Sequence, residues 1–412
     1  MKSTHRLYIG VGTVSIFAAS AIVDAAAASY IACSNNSTHI SWAQDPDSKD
    51  DFIKNIDGGC SYQSVDEARA EITAYLWQNI MPYDVPNAIT LGFDVSALTG
   101  FDHADTGDAA EVELNKESHG IRSTSRFMQQ QLQDQPTVDG LADGILNQTL
   151  YYSMLSKILY PWTDAIPHAI YLEYVVPFAV VNEPRTDYRS LLFDALRENL
   201  REFERPAIMS GRNHNQVQVQ TSYDETQNQI KKMVKLINTR LWSIMGRDAS
   251  KPIKFQAGLT PRIYDPLSVI AYGHSSCTGL AVLLISALRT VGIAARMAGT
   301  PAWNGKEECG NHSWLEVFLP NESGGEWVFL EPSPGIAEGD EESANADDMD
   351  RDPCERWFCK ADRFDGSTHV SATRYTKTVN ALYKMAWAVG ENGVPGENRT
   401  EYYTSVCGQC GK

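Results

Sequence analysis

Between Cys277 and Glu331 the hydrophobic period of the chain switches from that of a helix to that of a strand, and this leaves few ways to fold. Leu280, Leu283, Leu284, Ala287, Leu288 and Val291 recur at helical spacing, one apolar stripe packed against something large. Gly292 stops that helix. From His312 to Leu319 the period is two. Leu315, Val317 and Leu319 share one face, and His312, Trp314, Glu316 and Phe318 the other. Pro320 to Gly325 supply turn chemistry and Trp327 to Glu331 form the returning strand. The spacing predicts an antiparallel hairpin with Glu331 within a pair or two of His312. Helix then hairpin brings Cys277, His312 and Glu331 together.

Cys277 opens the helix within Gly273-His274-Ser275-Ser276-Cys277-Thr278-Gly279. A thiol in a first turn faces unpaired backbone N–H groups and the positive end of the helix dipole, both of which favour thiolate. A thiolate that attacks a carbonyl needs an adjacent base to hold the ion pair and then protonate the leaving group, a role His312 fits. Glu331 would accept a hydrogen bond from the other ring nitrogen and fix the tautomer. Taken singly, Cys277 reads as a small core hydrophobe and His312 as a strand residue satisfied locally. The combination of all three outweighs that reading.

The chain of 412 residues is 43% hydrophobic, long enough for one large or two ordinary domains with a sizeable core. Its net charge of −17 argues against a nucleic-acid partner, because phosphates must be neutralised by Lys and Arg, here outnumbered 52 to 35. Lys2, His5 and Arg6 precede an apolar run, Leu7 to Val23, and the small residues Ala25 to Ala28. This reads as a secretory signal over residues 1–28, with an uncleaved signal anchor as the alternative. Acceptor sequons at Asn35, Asn36, Asn147, Asn321 and Asn398 fit an exported glycoprotein, and Asn311 beside His312 is a further one. The expected location is secreted, extracellular or in an endomembrane lumen, without stable membrane association after signal cleavage.

Of eight cysteines, Cys354, Cys359, Cys407 and Cys410 are spaced either for a four-sulfur zinc site or for disulfides. In an exported chain disulfides are favoured, and cross-pairing between the two couples over a strained Cys407–Cys410 ring. Cys309, three residues before His312, reads as an inert half-buried thiol, with an inhibitory disulfide to Cys277 as the other reading. Glu338 to Asp352 holds eight acidic side chains in fifteen residues without regular ligand spacing, which favours a solvated loop over a calcium site.

Upstream, Ser64-Val65-Asp66-Glu67 is a capping box opening a helix that Pro82 ends. Residues 100–137 are polar and aperiodic and read as an insertion. Leu141 to Tyr160 and Glu225 to Met245 read as helices, and Tyr171 to Val181 as a dense apolar stretch leading into Asn182-Glu183-Pro184-Arg185.

The block from Ser276-Cys277 through Leu288-Arg289-Thr290-Val291-Gly292-Ile293-Ala294-Ala295-Arg296 and Gly310-Asn311-His312-Ser313-Trp314-Leu315-Glu316-Val317 to Trp327-Val328-Phe329-Leu330-Glu331-Pro332 resembles the core of the transglutaminase-like superfamily of papain-fold cysteine enzymes. Tyr174-Val175-Val176-Pro177-Phe178 with Asn182 to Arg185 and Tyr188-Arg189 resembles an extension seen in secreted members, so the likeness spans roughly residues 165–335. It implies an α+β, papain-like core, a nucleophile helix packed on an antiparallel sheet. It also implies acyl transfer through Cys277, His312 and Glu331 on a protein or peptide substrate, with water or an amine as acceptor. The family's usual third residue is Asp, and Glu331 is one methylene longer. The Cys277 N–H, with His274 or Gln256 as side-chain candidates, is the expected oxyanion donor. No cofactor is implied beyond the calcium that some members need. The opposing class is a catalytically inactive binding or surface-interaction module of the same fold.

The expected layout is a signal peptide over 1–28, a mainly helical N-terminal region over 29–164, a transglutaminase-like domain over 165–400 and a Cys-containing tail over 401–412.

Overall fold

The computed structural model describes residues 65–81, 84, 87–93, 144–204, 222–248, 250–334, 348–364, 366–377, 381–388 and 393–411. The signal segment, Cys33, Cys60, Ser64, Pro82, the polar stretch 100–137 and residues 335–347 lie outside them. The described residues form an α+β arrangement in which helices precede the sheet.

Among the described residues five helices come first: α1 (Val65–Gln78), α2 (Ile145–Leu159), α3 (His168–Tyr174), α4 (Arg189–Leu200) and α5 (Tyr223–Ile244). The expected helices near 141–160 and 225–245 are α2 and α5. The Ser222 side chain caps α5 by accepting from the Glu225 N–H, and Ile230, Met233, Val234, Ile237 and Leu241 are buried along it. The apolar stretch 171–181 is split between the end of α3 and an irregular segment. Buried irregular backbone must find partners for its polar groups. Here Arg189 donates to the carbonyls of Val175 and Val176 at 2.8 Å each, and Arg289 donates to that of Ala179 at 2.8 Å. Glu183 accepts from the N–H groups of Val180 at 2.8 Å and Val181 at 2.7 Å. The Asn-Glu-Pro-Arg motif is thus a polar scaffold for that segment, and Arg185 extends it to Asp84 at 2.8 Å.

A short parallel pair, β1 (Lys254–Phe255) and β2 (His274–Ser275), brackets α6 (Pro266–Tyr272) and leads directly into α7 (Cys277–Thr290). Gly292 ends that excursion with a left-handed φ of 78°, which only glycine adopts freely. There follow β3 (Ala295–Thr300), β4 (His312–Leu319), β5 (Glu326–Leu330), β6 (Ser371–Thr373), β7 (Ala381–Leu382), β8 (Pro395–Asn398) and α8 (Thr400–Cys407). The main sheet has the order β5-β4-β3-β6-β8-β7, antiparallel throughout. The predicted hairpin is β4–β5, with Leu315 opposite Leu330.

The sheet has a core on each face. Leu315, Val317, Leu319 and Leu330 join α7 and the N-terminal helices in one large apolar cluster. Trp314 and Phe329 pack on the other side with Trp303, Phe358 and Tyr403. Disulfides Cys354–Cys410 and Cys359–Cys407 close that second core, in the expected cross-pairing. No helix among the described residues is long and apolar enough to cross a membrane.

Candidate active site

Cys277 is the first residue of α7, half-buried and a free thiol. Ser276 precedes it in extended geometry, and its hydroxyl bonds Thr260 rather than capping the helix. The first-turn N–H groups are therefore not taken by a capping side chain.

His312 opens β4 and is buried, with its ring hydrogen-bonded to the Cys277 sulfur. Glu331, just past β5, reaches the ring with Oε1 at 2.6 Å from Nε2. Since Nε2 is held by the carboxylate, Nδ1 is the nitrogen left for the sulfur. The extra methylene of Glu331 is absorbed without loss of this contact.

Electrostatics follow from that geometry. Burial disfavours a charged imidazole, but the negative charge of Glu331 and hydrogen bonds to Cys277 and Glu331 outweigh it and push His312 up to about 10. Burial likewise raises the Cys277 thiol, yet the hydrogen bond and charge of His312, aided by the Ser313 backbone N–H, bring it below its ordinary value. The pair favours thiolate and imidazolium.

The Ser313 N–H is a contributor that sequence reading missed. Phe318 N–H donates to the Ala294 carbonyl at 3.0 Å, so even-numbered residues of β4 bond towards β3 and odd-numbered ones towards β5. β5 ends at Leu330, opposite Leu315, and the Ser313 N–H beyond it turns to the sulfur instead. The Ser313 hydroxyl is braced by Thr278 Oγ1 at 3.2 Å and by the Tyr383 hydroxyl. Tyr383 fits because Gly299 has no side chain: a Cβ there would stand 2.7 Å from the phenolic oxygen. Nothing local in the sequence flags Tyr383, which comes from β7's far end of the sheet.

Residues 218–332 match the family model of the transglutaminase-like superfamily. The chain carries a transglutaminase-like domain. Among solved structures, a candidate cysteine protease from Cytophaga hutchinsonii is similar at 14% identity, covering 43% of this chain, with a TM-score of 0.18. The chain spans 60% of the length of that structure. No curated protein matches significantly.

The matched segment of the transglutaminase-like domain runs from just before α5 to just after Glu331, so Cys277, His312 and Glu331 all lie within it. Gln256 follows β1, with an exposed side chain, and its backbone N–H donates to the Ser275 carbonyl at 2.8 Å. That places it two residues from Cys277 across the parallel pair. His274 is half-buried on β2, its ring 6.3 Å from that of Tyr272. Cys309 is a free thiol and is exposed rather than half-buried as expected, because it lies in the short 3-10 turn Glu307–Cys309, outside both cores.

The described part of the acidic run is engaged within the chain. Asp350 pairs with Lys231 at 2.7 Å, Asp348 with Lys235 at 3.0 Å, and Asp352 accepts from the Cys354 N–H at 2.9 Å. Among the described residues no group of three or more His, Cys, Asp or Glu is placed to hold a metal ion.

Proposed function

We propose that the transglutaminase-like domain is a cysteine acyl-transfer site acting on amides of a protein or peptide, with Cys277 as nucleophile, His312 as acid and base, and Glu331 as the carboxylate that orients the ring. The observation that carries this reading is the 2.6 Å contact between Glu331 Oε1 and His312 Nε2, on a ring whose other side meets the Cys277 sulfur. An inactive module has no use for a buried imidazole that a carboxylate holds against a free thiol.

In the proposed reaction the Cys277 thiolate attacks the amide carbonyl carbon and a C–S bond forms. The C–N bond breaks as the His312 imidazolium protonates the departing ammonia or amine, leaving a thioester and a neutral ring. Water or an acceptor amine then attacks the thioester carbon while His312 takes its proton. The C–S bond breaks and the thiolate–imidazolium pair is restored. The backbone N–H of Cys277, at the helix N-terminus, is the main candidate donor to the oxyanion, with the Gln256 or His274 side chain as a second. Water as acceptor gives a peptidase or amidase, and a lysine-like amine gives a cross-linking enzyme. Action outside the cell or in an endomembrane lumen fits the apolar N-terminal segment and the paired cysteines.

Labelling of the intact protein with iodoacetamide at pH 6 tests the reading. Cys277 is expected to alkylate well ahead of Cys309, because only an ion-paired thiolate is populated there. Equal, slow labelling of both thiols would indicate the inactive module.

A further inference from the structure

Outside the three residues assigned above, the most exposed side chain in contact with the His312 ring is Trp357. It is 52% exposed, although its ring packs edge-on against that of buried His312 with centroids 4.6 Å apart. A large aromatic side chain left half in water beside a buried imidazole is unusual, since burial of its apolar surface is favourable.

The segment that presents it is built to be rigid. Arg356 and Phe358 on either side are buried, with the Arg356 guanidinium 4.4 Å over the Phe329 ring and Phe358 stacked at 4.7 Å on Trp314. Trp357, between two inward side chains in a turn, is the one left outward. Cys354 and Cys359 flank it, and each is tied to the C-terminal segment, to Cys410 and Cys407 respectively. The Arg363 guanidinium stands over Trp357 at 5.0 Å and over Trp303 at 5.3 Å, fixing the indole between a cation and the imidazole. Two disulfides, a buried aromatic and an arginine therefore hold one indole with its remaining surface open.

What Trp357 borders follows from the chemistry of the ring it touches. In acyl transfer, the imidazole delivers its proton to the leaving nitrogen and later receives one from the acceptor, so a wall in contact with His312 borders the departing and entering amine rather than the acyl group. We propose that Trp357 is a substrate-binding residue that forms the leaving-group wall of this site and selects amides whose amine portion is apolar, above all aromatic. This rests on the acyl-transfer reading of Cys277 and His312. A preorganised indole face loses little conformational freedom on binding and is well suited to such a group.

The test compares two electrophiles of similar intrinsic reactivity, iodoacetamide and its N-phenyl analogue iodoacetanilide, on the intact oxidised protein, following alkylation at the Cys277 peptide by mass spectrometry. The readout is the ratio of the two rates, normalised to the ratio for glutathione. The wild-type ratio is expected to favour the anilide by about tenfold, a typical worth for one aromatic contact. Trp357→Ala should bring the ratio to that of glutathione, and Trp357→Phe should keep most of the preference. A wild-type ratio equal to that of glutathione overturns the proposal. So does a Trp357→Ala variant that alkylates more slowly with both reagents at an unchanged ratio, since that would make the indole a shield for the ring and nothing more. His312→Ala separates the two readings: if Cys277 in that variant stays as reactive as wild type to iodoacetamide at pH 6, the acyl-transfer reading fails whatever the ratio does.

Discussion

The two faces of β4 are closed in different ways. On one, Leu315, Val317 and Leu319 meet the apolar stripe of α7, and the seal is side-chain packing among helices. On the other, Trp314 and Glu316 meet the C-terminal segment, where the seal is polar and covalent as well as apolar. Glu316 is fully buried and takes Arg296 at 2.8 Å, Arg399 at 3.0 Å and the Tyr403 hydroxyl at 2.9 Å. Trp314 Nε1 donates to that same hydroxyl at 2.7 Å, and two disulfides lock α8 and its following turn in place. A face sealed by packing tolerates small rearrangement. One sealed by directional bonds and cross-links holds a single geometry, which suits the face that carries His312 and Trp357.

The largest expected effects are at the junction of the two faces. Cys277→Ala and His312→Ala should each lower amide turnover by about a thousandfold or more, as nucleophile and base act as a unit. Far-UV circular dichroism should stay unchanged. Activity within tenfold of wild type in either variant would remove the assignment.

Next comes a direct contrast between the seals. Replacing Cys359 and Cys407 by Ser removes the inner of two nested cross-links, and because Cys354–Cys410 still holds the two segments near each other in the unfolded chain, chain entropy puts the loss at about 3 kcal/mol. Hydrogen exchange should speed up in α8 and around Trp357 while α7 stays protected. Uniform acceleration across both helices would mean that the faces are one cooperative unit. Leu315→Ala on the packed face should cost about 3 kcal/mol by cavity formation, read as a shift in denaturant midpoint.

Glu331→Gln should reduce turnover less than loss of either partner, by about 10- to 100-fold, since the carboxylate orients and stabilises the ring but moves no proton. A fall as deep as that of Cys277→Ala would assign Glu331 a larger part.

The smallest effect is in the pH profile. The folded protein favours the Cys277 thiolate, so alkylation should rise with pH at a value below the ordinary thiol range and level off. The folded protein also favours imidazolium. Its contribution to stability is full below about pH 6.5, the ordinary histidine value, and is lost as pH rises through about 10. Amide turnover should fall over that upper range, where the proton donor disappears. In Glu331→Gln the falling limb should move to lower pH, because the charge that raises His312 is gone. An unmoved limb would show that another group sets it.

The spacing of apolar residues by itself determined α7, the β4–β5 hairpin and the approach of Cys277, His312 and Glu331, because a helix and a hairpin are each built from contacts a few residues apart. It likewise determined α2 and α5, while the four clustered cysteines called for cross-pairing through the strain of a short ring. Only the tertiary structure decided the rest of the site. The Ser313 N–H is free for the sulfur because the pairing with β5 stops two residues short of it, a matter of register rather than composition. Tyr383 reaches Ser313 across the sheet, through the space that Gly299 leaves open. Trp357 lies on His312 because disulfides spanning 56 and 48 residues draw the C-terminal segment over the second face. Contacts at such separations depend on how the whole chain closes on itself, and no local period encodes that closure.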